Sequence, residues 1–211
     1  MKKKAIIFDM DGVLVDTENA YLNMFRDFLR AHGKPVREDI LLKIVGADSK
    51  KTWKYMGKLW GEEDTEKIRQ LFHSEYPDGT LDYREYLFPG VPQMLRTLKQ
   101  KNYLLALASS SKKKDIRRML KENELGSYFT VVVSGEEYKE SKPDPEIYND
   151  VKRQLGLNSE ECLVVEDSTY GIRAAKAAGL EVIAVDDPRF SFDQSEADGW
   201  IKKVTDLLSL V

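Results

Sequence analysis

Acidic, hydroxyl and lysine side chains follow four short apolar segments of the sequence, close to where each segment ends. The apolar segments have the length and composition of buried parallel strands. Because the carboxyl ends of parallel strands meet at one edge of a sheet, the four polar clusters are expected to form one pocket. Together they suit a hard divalent cation, Mg²⁺ above all, and a phosphate. The clusters are Asp9-Met10-Asp11-Gly12-Val13, Ser109-Ser110-Ser111-Lys112, Ser141-Lys142-Pro143-Asp144-Pro145 and Glu166-Asp167-Ser168.

Each cluster also has a purely structural interpretation, as a turn, a helix cap or an exposed loop lysine. Among the serines, Ser109 is favoured as a phosphate contact because it directly follows an apolar strand, although all three compete for the role of a helix cap. The pair Glu166 and Asp167 could cap the helix that follows it. Four such clusters in one chain favour a chemical site over four unrelated turns.

The segments between the clusters carry helical patterns, so strands and helices alternate along the chain. This alternation predicts an α/β fold, a doubly wound, Rossmann-like parallel sheet with helices on both faces. Strands are predicted at 5–8, 103–108, 130–133, 162–165 and 182–185. Helices are predicted at 91–99, 116–125, 148–155 and 172–178.

Residues 17–86 interrupt the alternation. They carry amphipathic helical patterns and no convincing strand, over about 70 residues, which is much longer than an ordinary connection in an α/β unit. We therefore predict an all-helical domain over 17–86, inserted into an α/β domain formed by 1–16 and 87–211. Most aromatic residues of the insert are expected to form its core, whereas Lys50 and Trp53, which follow Gly46, are candidates for substrate contact.

Composition narrows the classes of function. Hydrophobic residues make up 42% and charged residues 33% of 211 residues, as in ordinary globular proteins. The net charge of -3 gives no broad basic field for nucleic acid. The single cysteine, Cys162, cannot form an internal disulfide and fits a reducing compartment. No apolar run is long enough for a signal peptide or a membrane span. We expect a cytoplasmic monomer with no membrane or nucleic-acid partner.

The segment from Phe8 to Thr17, with its Asp9-x-Asp11-Gly12 core, resembles the first signature of the haloacid dehalogenase superfamily of phosphohydrolases. The other three clusters resemble the second, third and fourth signatures in the same order, so the likeness covers nearly the whole chain. It is closest to the β-phosphoglucomutase-like subgroup, in which a helical cap follows the first strand. The resemblance implies a Mg²⁺-dependent phosphatase that hydrolyses a small phosphorylated metabolite, a sugar phosphate or nucleotide, through an aspartyl-phosphate.

The resemblance also implies a role for each candidate residue. Asp9 is the implied nucleophile, and Asp11 the implied general acid and then base, with its backbone carbonyl at the metal. Lys142 would neutralise the charge of Asp9 and of the phosphate. The implied metal ligands are Asp9, Asp11, Glu166 (directly or through water) and Asp167. The implied phosphate contacts are Ser109, Ser110, Lys142 and Gly12.

Two departures from the subgroup argue against a sugar phosphomutase, which is the main alternative. Tyr21 stands where those enzymes carry a histidine, and Val45 replaces the first lysine of a cap loop, in which Lys50 or Lys51 would have to stand for an arginine. Hydrolysis requires only that water reach the phosphoenzyme. Weaker alternatives are a receiver-like phosphoacceptor module, which lacks such an insert, and a dehalogenase, whose chemistry does not need a metal cluster.

Overall fold

The computed structural model describes residues 3–45, 49–77 and 79–211. The chain divides into an α/β unit, Met1–Asp16 with Tyr83–Val211, and a helical unit, Thr17–Asp82. Tyr83 belongs to the α/β unit because its backbone N–H donates to Glu122 Oε2 at 3.0 Å. The following residues run beside the first strand's loop, with Asp16 N donating to Tyr86 O at 2.8 Å. The helical unit therefore ends at Asp82, before the predicted boundary after Tyr86.

The α/β unit contains a wholly parallel six-stranded sheet with the order β3-β2-β1-β4-β5-β6, which confirms the predicted fold class. Five strands lie within one residue of their predicted bounds. The sixth was not predicted, because its three residues are too few to show a pattern and the strand forms by pairing with the edge of β5. The strands are β1 (Ala5–Phe8), β2 (Leu104–Ser109), β3 (Val131–Ser134), β4 (Cys162–Glu166), β5 (Glu181–Val185) and β6 (Gly199–Ile201).

Eight α-helices occur among the described residues. Four form the helical unit: α1 (Thr17–Ala31), α2 (Glu38–Leu41), α3 (Ser49–Trp60) and α4 (Thr65–Glu75). Four belong to the α/β unit: α5 (Val91–Gln100), α6 (Lys113–Glu122), α7 (Glu146–Leu155) and α8 (Thr169–Ala177).

Helix α6 begins and ends three residues earlier than predicted. Its polar first turn carries no apolar signal, and the chain leaves the helix at Asn123 before Glu124 adopts a positive φ of 57°. Leu125 is buried and completed the apolar pattern, but it lies beyond the helix end.

One face of the sheet is covered by α7 and α8. Ala5 and Ile7 of β1 pack there with Ile147 and Val151 of α7 and with Ile172 of α8, because alternate residues of a strand point to the same face. Ile6 and Phe8, also fully buried, point to the other face. The central strand β1 is thus buried on both faces, which leaves its carboxyl end as the place where it can meet a ligand.

The strand order places β1 beside both β2 and β4. The chain runs from β1 outward through β2 to β3 and then returns to the other side of β1 to form β4, β5 and β6. The crevice outside the carboxyl ends of β1 and β4 is therefore the topological switch point, where open α/β sheets bind their ligands.

The helical unit has a core of aromatic side chains. Phe28 is fully buried, with its ring 4.9 Å from that of Trp60 and 5.2 Å from that of Phe72. Trp53 is 8% exposed and packs on Phe25 and Phe72, which is a core position. Lys50 is exposed. The loop residues 46–48, part of the segment considered for substrate binding, lie outside the described residues.

Across the described part of the chain, none of the helices is both long enough and apolar enough for a membrane crossing.

Phe28→Ala is expected to lower the free energy of unfolding of the helical unit by about 3–5 kcal/mol, because it removes a buried ring from a packed core. Denaturant unfolding, followed by the fluorescence of the stacked Trp60, measures the change. Leu42→Ala is the matched control, since Leu42 is 45% exposed and a surface truncation changes stability by about 0.5 kcal/mol or less. Equal stability losses in the two variants would show that Phe28 is not part of the core.

Candidate active site

The ammonium of Lys142 joins three strand ends at the switch point. Its Nζ lies 2.6 Å from Asp9 Oδ1, 2.8 Å from Glu166 Oε1 and 3.0 Å from the carbonyl oxygen of Ala108. These partners lie on or directly after β1, β4 and β2. A lysine has three N–H donors, so all three are engaged in these bonds. The Lys142 side chain is thus buried and bonded to three strand ends, so Lys142 is not an exposed loop lysine.

Glu166 is fully buried and accepts five hydrogen bonds. Oε1 accepts from Lys142 and, at 3.1 Å, from the hydroxyl of Tyr148. Oε2 accepts from the backbone N–H groups of Asp167 and Ser168 and from the Ser168 hydroxyl, at 2.9–3.0 Å. Burial by itself would raise the pKa of Glu166, but the Lys142 charge and the bonds from Lys142 and Ser168 hold it below its usual value. Glu166 is therefore ionised.

Asp9 shares the same ammonium with Glu166 and has fewer donors of its own. Burial, opposed by Lys142 and reinforced by the negative charges of Glu166 and Asp11, raises the pKa of Asp9 to about 8. For Lys142, burial opposes the charged form, but the attraction of Asp9 and Glu166 raises its pKa well above the usual value. The site therefore contains a permanent cation, a permanent anion and a carboxyl group that titrates near neutral pH.

Three carboxyl groups converge beside this lysine. Asp9, Glu166 and Asp167 are all buried, and each offers an oxygen that lies within 4.8 Å of the others. Three carboxylates against one ammonium would leave an excess of negative charge in a buried site, and hard oxygen ligands suit Mg²⁺. The donor set thus fits a divalent cation.

Two glycines make room for these carboxylates. Gly12 has a φ of +74°, and a Cβ at this position would overlap the Asp167 carboxylate. A Cβ at Gly171, in the first turn of α8, would overlap the carboxylate of Glu166. The N–H of Gly12, expected to face the phosphate, donates instead to Val15 O at 2.8 Å. The structure thus explains why position 12 is a glycine: a side chain there would collide with the Asp167 carboxylate.

Two of the three serines at the end of β2 lie against Asp11. Ser111 Oγ is 2.6 Å from Asp11 Oδ2, and Ser109 Oγ is 3.4 Å from the same atom. Ser109 is fully buried, whereas Ser110 is exposed. The residue before α6 is Lys112, and no side chain caps that helix. The serines are therefore not helix caps, and two of them contact a proposed catalytic residue.

The helix after Glu166 and Asp167 is capped by Ser168, whose Oγ accepts from Gly171 N at 3.0 Å. The interpretation of the two carboxylates as caps is therefore wrong.

Sequence reasoning missed three residues of this site. Ser111 was included in the second polar cluster, but the only individual role considered for it was that of a helix cap. Tyr148 was considered only as the first residue of the predicted helix 148–155, yet its hydroxyl reaches Glu166 and its ring centre lies 5.0 Å from Lys142 Nζ. Gln194 lies far along the chain and donates to the carbonyl oxygen of Asp167 at 2.6 Å. No local pattern in the sequence pointed to the contacts of Tyr148 or of Gln194.

Comparison with known proteins identifies the family of this chain. Residues 6–185 match the model of the family described as haloacid dehalogenase-like hydrolase. A phosphorylated carbohydrates phosphatase of Thermotoga maritima is 38% identical over 183 residues, which cover 85% of this chain and 83% of that protein. Phosphoglycolate phosphatase 1 of Pseudomonas aeruginosa is 28% identical, over 86% of this chain and 69% of that protein.

Among solved structures, a Thermotoga maritima protein provisionally named a β-phosphoglucomutase superposes with a TM-score of 0.82 at 33% identity. The match covers 100% of this chain and 98% of that one. The match to the family model extends over most of the chain, from β1 to the end of β5. The chain therefore belongs to the haloacid dehalogenase-like hydrolase family, and it is an enzyme of the phosphatase type with a β-phosphoglucomutase-like structure.

Proposed function

We propose that this enzyme is a Mg²⁺-dependent phosphatase of sugar phosphates that acts through an aspartyl-phosphate on Asp9. The observation that carries the proposal is the buried contact of Asp9 with Lys142 at 2.6 Å, at the switch point and within a cluster of carboxylates. The relative that acts on phosphorylated carbohydrates favours a sugar phosphate over a nucleotide as the substrate class.

Asp9 is the proposed nucleophile. Lys142 holds Oδ1, which fixes the plane of the carboxyl group and directs the other oxygen towards the substrate. An oxygen of Asp9 forms a bond to phosphorus as the bond to the sugar oxygen breaks, and water then cleaves the phosphoenzyme. Attack of an anion on an anionic phosphate requires positive charge nearby, and the buried ammonium of Lys142 provides part of it.

Asp11 is the proposed general acid and base. The leaving sugar oxygen needs a proton, and the attacking water must lose one. The hydroxyl groups of Ser111 and Ser109 face Asp11 Oδ2, so they fix the orientation of this carboxyl group. Ser109 remains a proposed phosphate contact. Lys142 remains the second one, and to bond the phosphate it would exchange one of its three bonds within the protein. Ser110 and Gly12 are less well supported as phosphate contacts. Ser110 is exposed, and the backbone N–H of Gly12 already donates to Val15 O.

The proposed metal ligands are the carboxylates of Asp9 and Asp167 and the backbone carbonyl of Asp11. A bound Mg²⁺ would neutralise negative charge on Asp9 and on the phosphate. Glu166 was also expected at the metal, and its oxygens lie close enough. Since they already accept five hydrogen bonds, we assign Glu166 the role of holding Lys142, with any interaction with the cation passing through water.

A sugar phosphomutase is the second candidate, favoured by the structural likeness to the Thermotoga maritima protein. Tyr21 and Val45 replace the histidine and the lysine that such enzymes carry. These replacements are the reason to favour hydrolysis.

Asp9→Asn is expected to reduce Mg²⁺-dependent hydrolysis of p-nitrophenyl phosphate and of sugar phosphates by about 10³-fold or more, because an amide is a poor nucleophile. Phosphate release measures the change. Asp27→Asn is the matched control: it makes the same chemical change on a carboxylate that is 65% exposed in the helical unit. If Asp9→Asn retained the activity of the control, Asp9 would not be the nucleophile.

Cation affinity is expected to rise with pH and to level off above about 8. Asp9 has a pKa of about 8 without a metal, so below that pH it must release a proton in order to act as a ligand. The apparent dissociation constant of Mn²⁺, measured between about pH 6 and pH 9, should fall by up to about tenfold per pH unit below the pKa. A flat profile over this range would contradict the raised pKa of Asp9.

Glucose 1-phosphate, incubated with the enzyme, Mg²⁺ and a sugar bisphosphate activator, is expected to yield glucose and inorganic phosphate. Hydrolysis follows because water can accept the phosphoryl group from Asp9, whereas Tyr21 and Val45 replace groups used to return it to a sugar. Both products are measured enzymatically. Accumulation of glucose 6-phosphate without free phosphate would identify a mutase instead.

A further inference from the structure

Gln194 lies in the segment of 13 residues between β5 and β6, at 186–198, which contains neither a helix nor a strand. Its side-chain nitrogen donates to two backbone carbonyl oxygens, that of Asp167 at 2.6 Å and that of Val185 at 2.9 Å. Two carbonyl acceptors can be bonded only by the amide nitrogen, which has two N–H donors. The amide of Gln194 thus uses both of its donors on these two residues.

The two acceptors form the next step of the β4–β5 ladder. The last paired residues of that ladder are Glu166 and Ala184, so Asp167 and Val185 would follow as a pair. Strand β4 ends at Glu166 and β5 ends at Val185. Beyond the last paired residues, the side-chain amide of Gln194 links the two backbone segments by bonding to a carbonyl oxygen of each. It therefore holds the backbone of Asp167 in register with the sheet at the point where the Asp167 side chain turns towards Asp9.

The segment that carries Gln194 is itself fixed to α8. Arg173 forms ion pairs with Asp193 at 3.3 Å and with Glu196 at 2.8 Å, one on each side of Gln194. Helix α8 begins two residues after Asp167. The segment around Gln194 is thus attached at two nearby places: the Gln194 amide bonds to Asp167, and the flanking carboxylates pair with Arg173 in the helix that follows.

We propose that Gln194 is a positioning residue for the metal site: by holding the Asp167 carbonyl, it fixes where the Asp167 carboxylate meets the divalent cation. This inference rests on the proposed function, in which Asp167 is a metal ligand. Groups that orient metal ligands commonly contribute about 10–100-fold to metal affinity. If Gln194 only held the segment 186–198 in place, its replacement would lower the free energy of unfolding and leave cation affinity unchanged.

Gln194→Met tests the inference, because methionine has nearly the same length and no N–H donor. The dissociation constant of Mn²⁺, measured by electron paramagnetic resonance of the free ion, is expected to rise by about tenfold or more. The KM for the sugar phosphate at saturating cation should stay within about twofold, since the substrate-facing groups are unchanged. A Mn²⁺ dissociation constant equal to that of the wild type would overturn the proposal.

Gln154→Met is the matched control. It removes a hydrogen bond from a glutamine side chain, which Gln154 donates to the Asp150 carboxylate at 2.8 Å on the exposed surface of α7. This change should leave Mn²⁺ affinity unchanged. If it weakened Mn²⁺ binding as much as Gln194→Met, the effect would be unspecific and the proposal would fail.

Asp167→Asn separates this inference from the proposed function. If Asp167→Asn weakens Mn²⁺ binding and Gln194→Met does not, the metal site stands and the role of Gln194 is refuted. If Asp167→Asn leaves binding unchanged, the proposed metal site itself is wrong, and the inference falls with it.

Should Gln194→Met not fold, Arg173→Met replaces it as the test. That variant frees the segment around Gln194 without touching the site, and a smaller rise of the Mn²⁺ dissociation constant is expected. An unchanged constant would then refute the proposal.

Discussion

The arrangement of this site depends on one buried ammonium shared by two carboxylates from neighbouring strands. Lys142 has three donors, and it uses them on Asp9, Glu166 and the Ala108 carbonyl. Removing one partner of a buried ion pair typically costs about 3–5 kcal/mol, because the remaining charge is left uncompensated. The strand ends of β1, β2 and β4 are therefore held by the same interaction that prepares the nucleophile, so stability and chemistry rest on the same atoms.

The two carboxylates that share Lys142 differ in how many other hydrogen-bond donors they have, and this difference gives Glu166 and Asp9 different roles. Glu166 has the hydroxyl groups of Tyr148 and Ser168 and two backbone N–H groups in addition to Lys142, so it keeps its charge. Asp9 lacks that set of donors, and its pKa is raised. A cation bound beside such a carboxyl group would stabilise its charged form and lower its pKa. Because burial raises the pKa of Asp9 to about 8, a proton competes with the cation for this carboxylate below that pH.

Much of this site could be predicted from the sequence because each signature is local. Asp9, Ser109 and Glu166 directly end or follow apolar strands, and a parallel sheet must bring such ends to one edge. Residues that act through the fold were not accessible in this way. Tyr148 looks like any apolar position of an amphipathic helix, and Gln194 lies in an irregular segment with no periodic pattern. The exact bounds of α6 were missed for a related reason, since Leu125 continues the apolar pattern after the backbone has left the helix.

By itself, the sequence determined the alternation of strands and helices, the helical insert and the chemical character of the four clusters. These follow from local apolar patterns and from the residue types that phosphate and metal chemistry require. Only the tertiary structure decided which of the clustered groups bond to one another. It paired Lys142 with both Asp9 and Glu166, turned Ser111 rather than Ser110 towards Asp11, and placed Gln194 behind Asp167. Such choices depend on distances between segments far apart in the chain, which no local pattern contains.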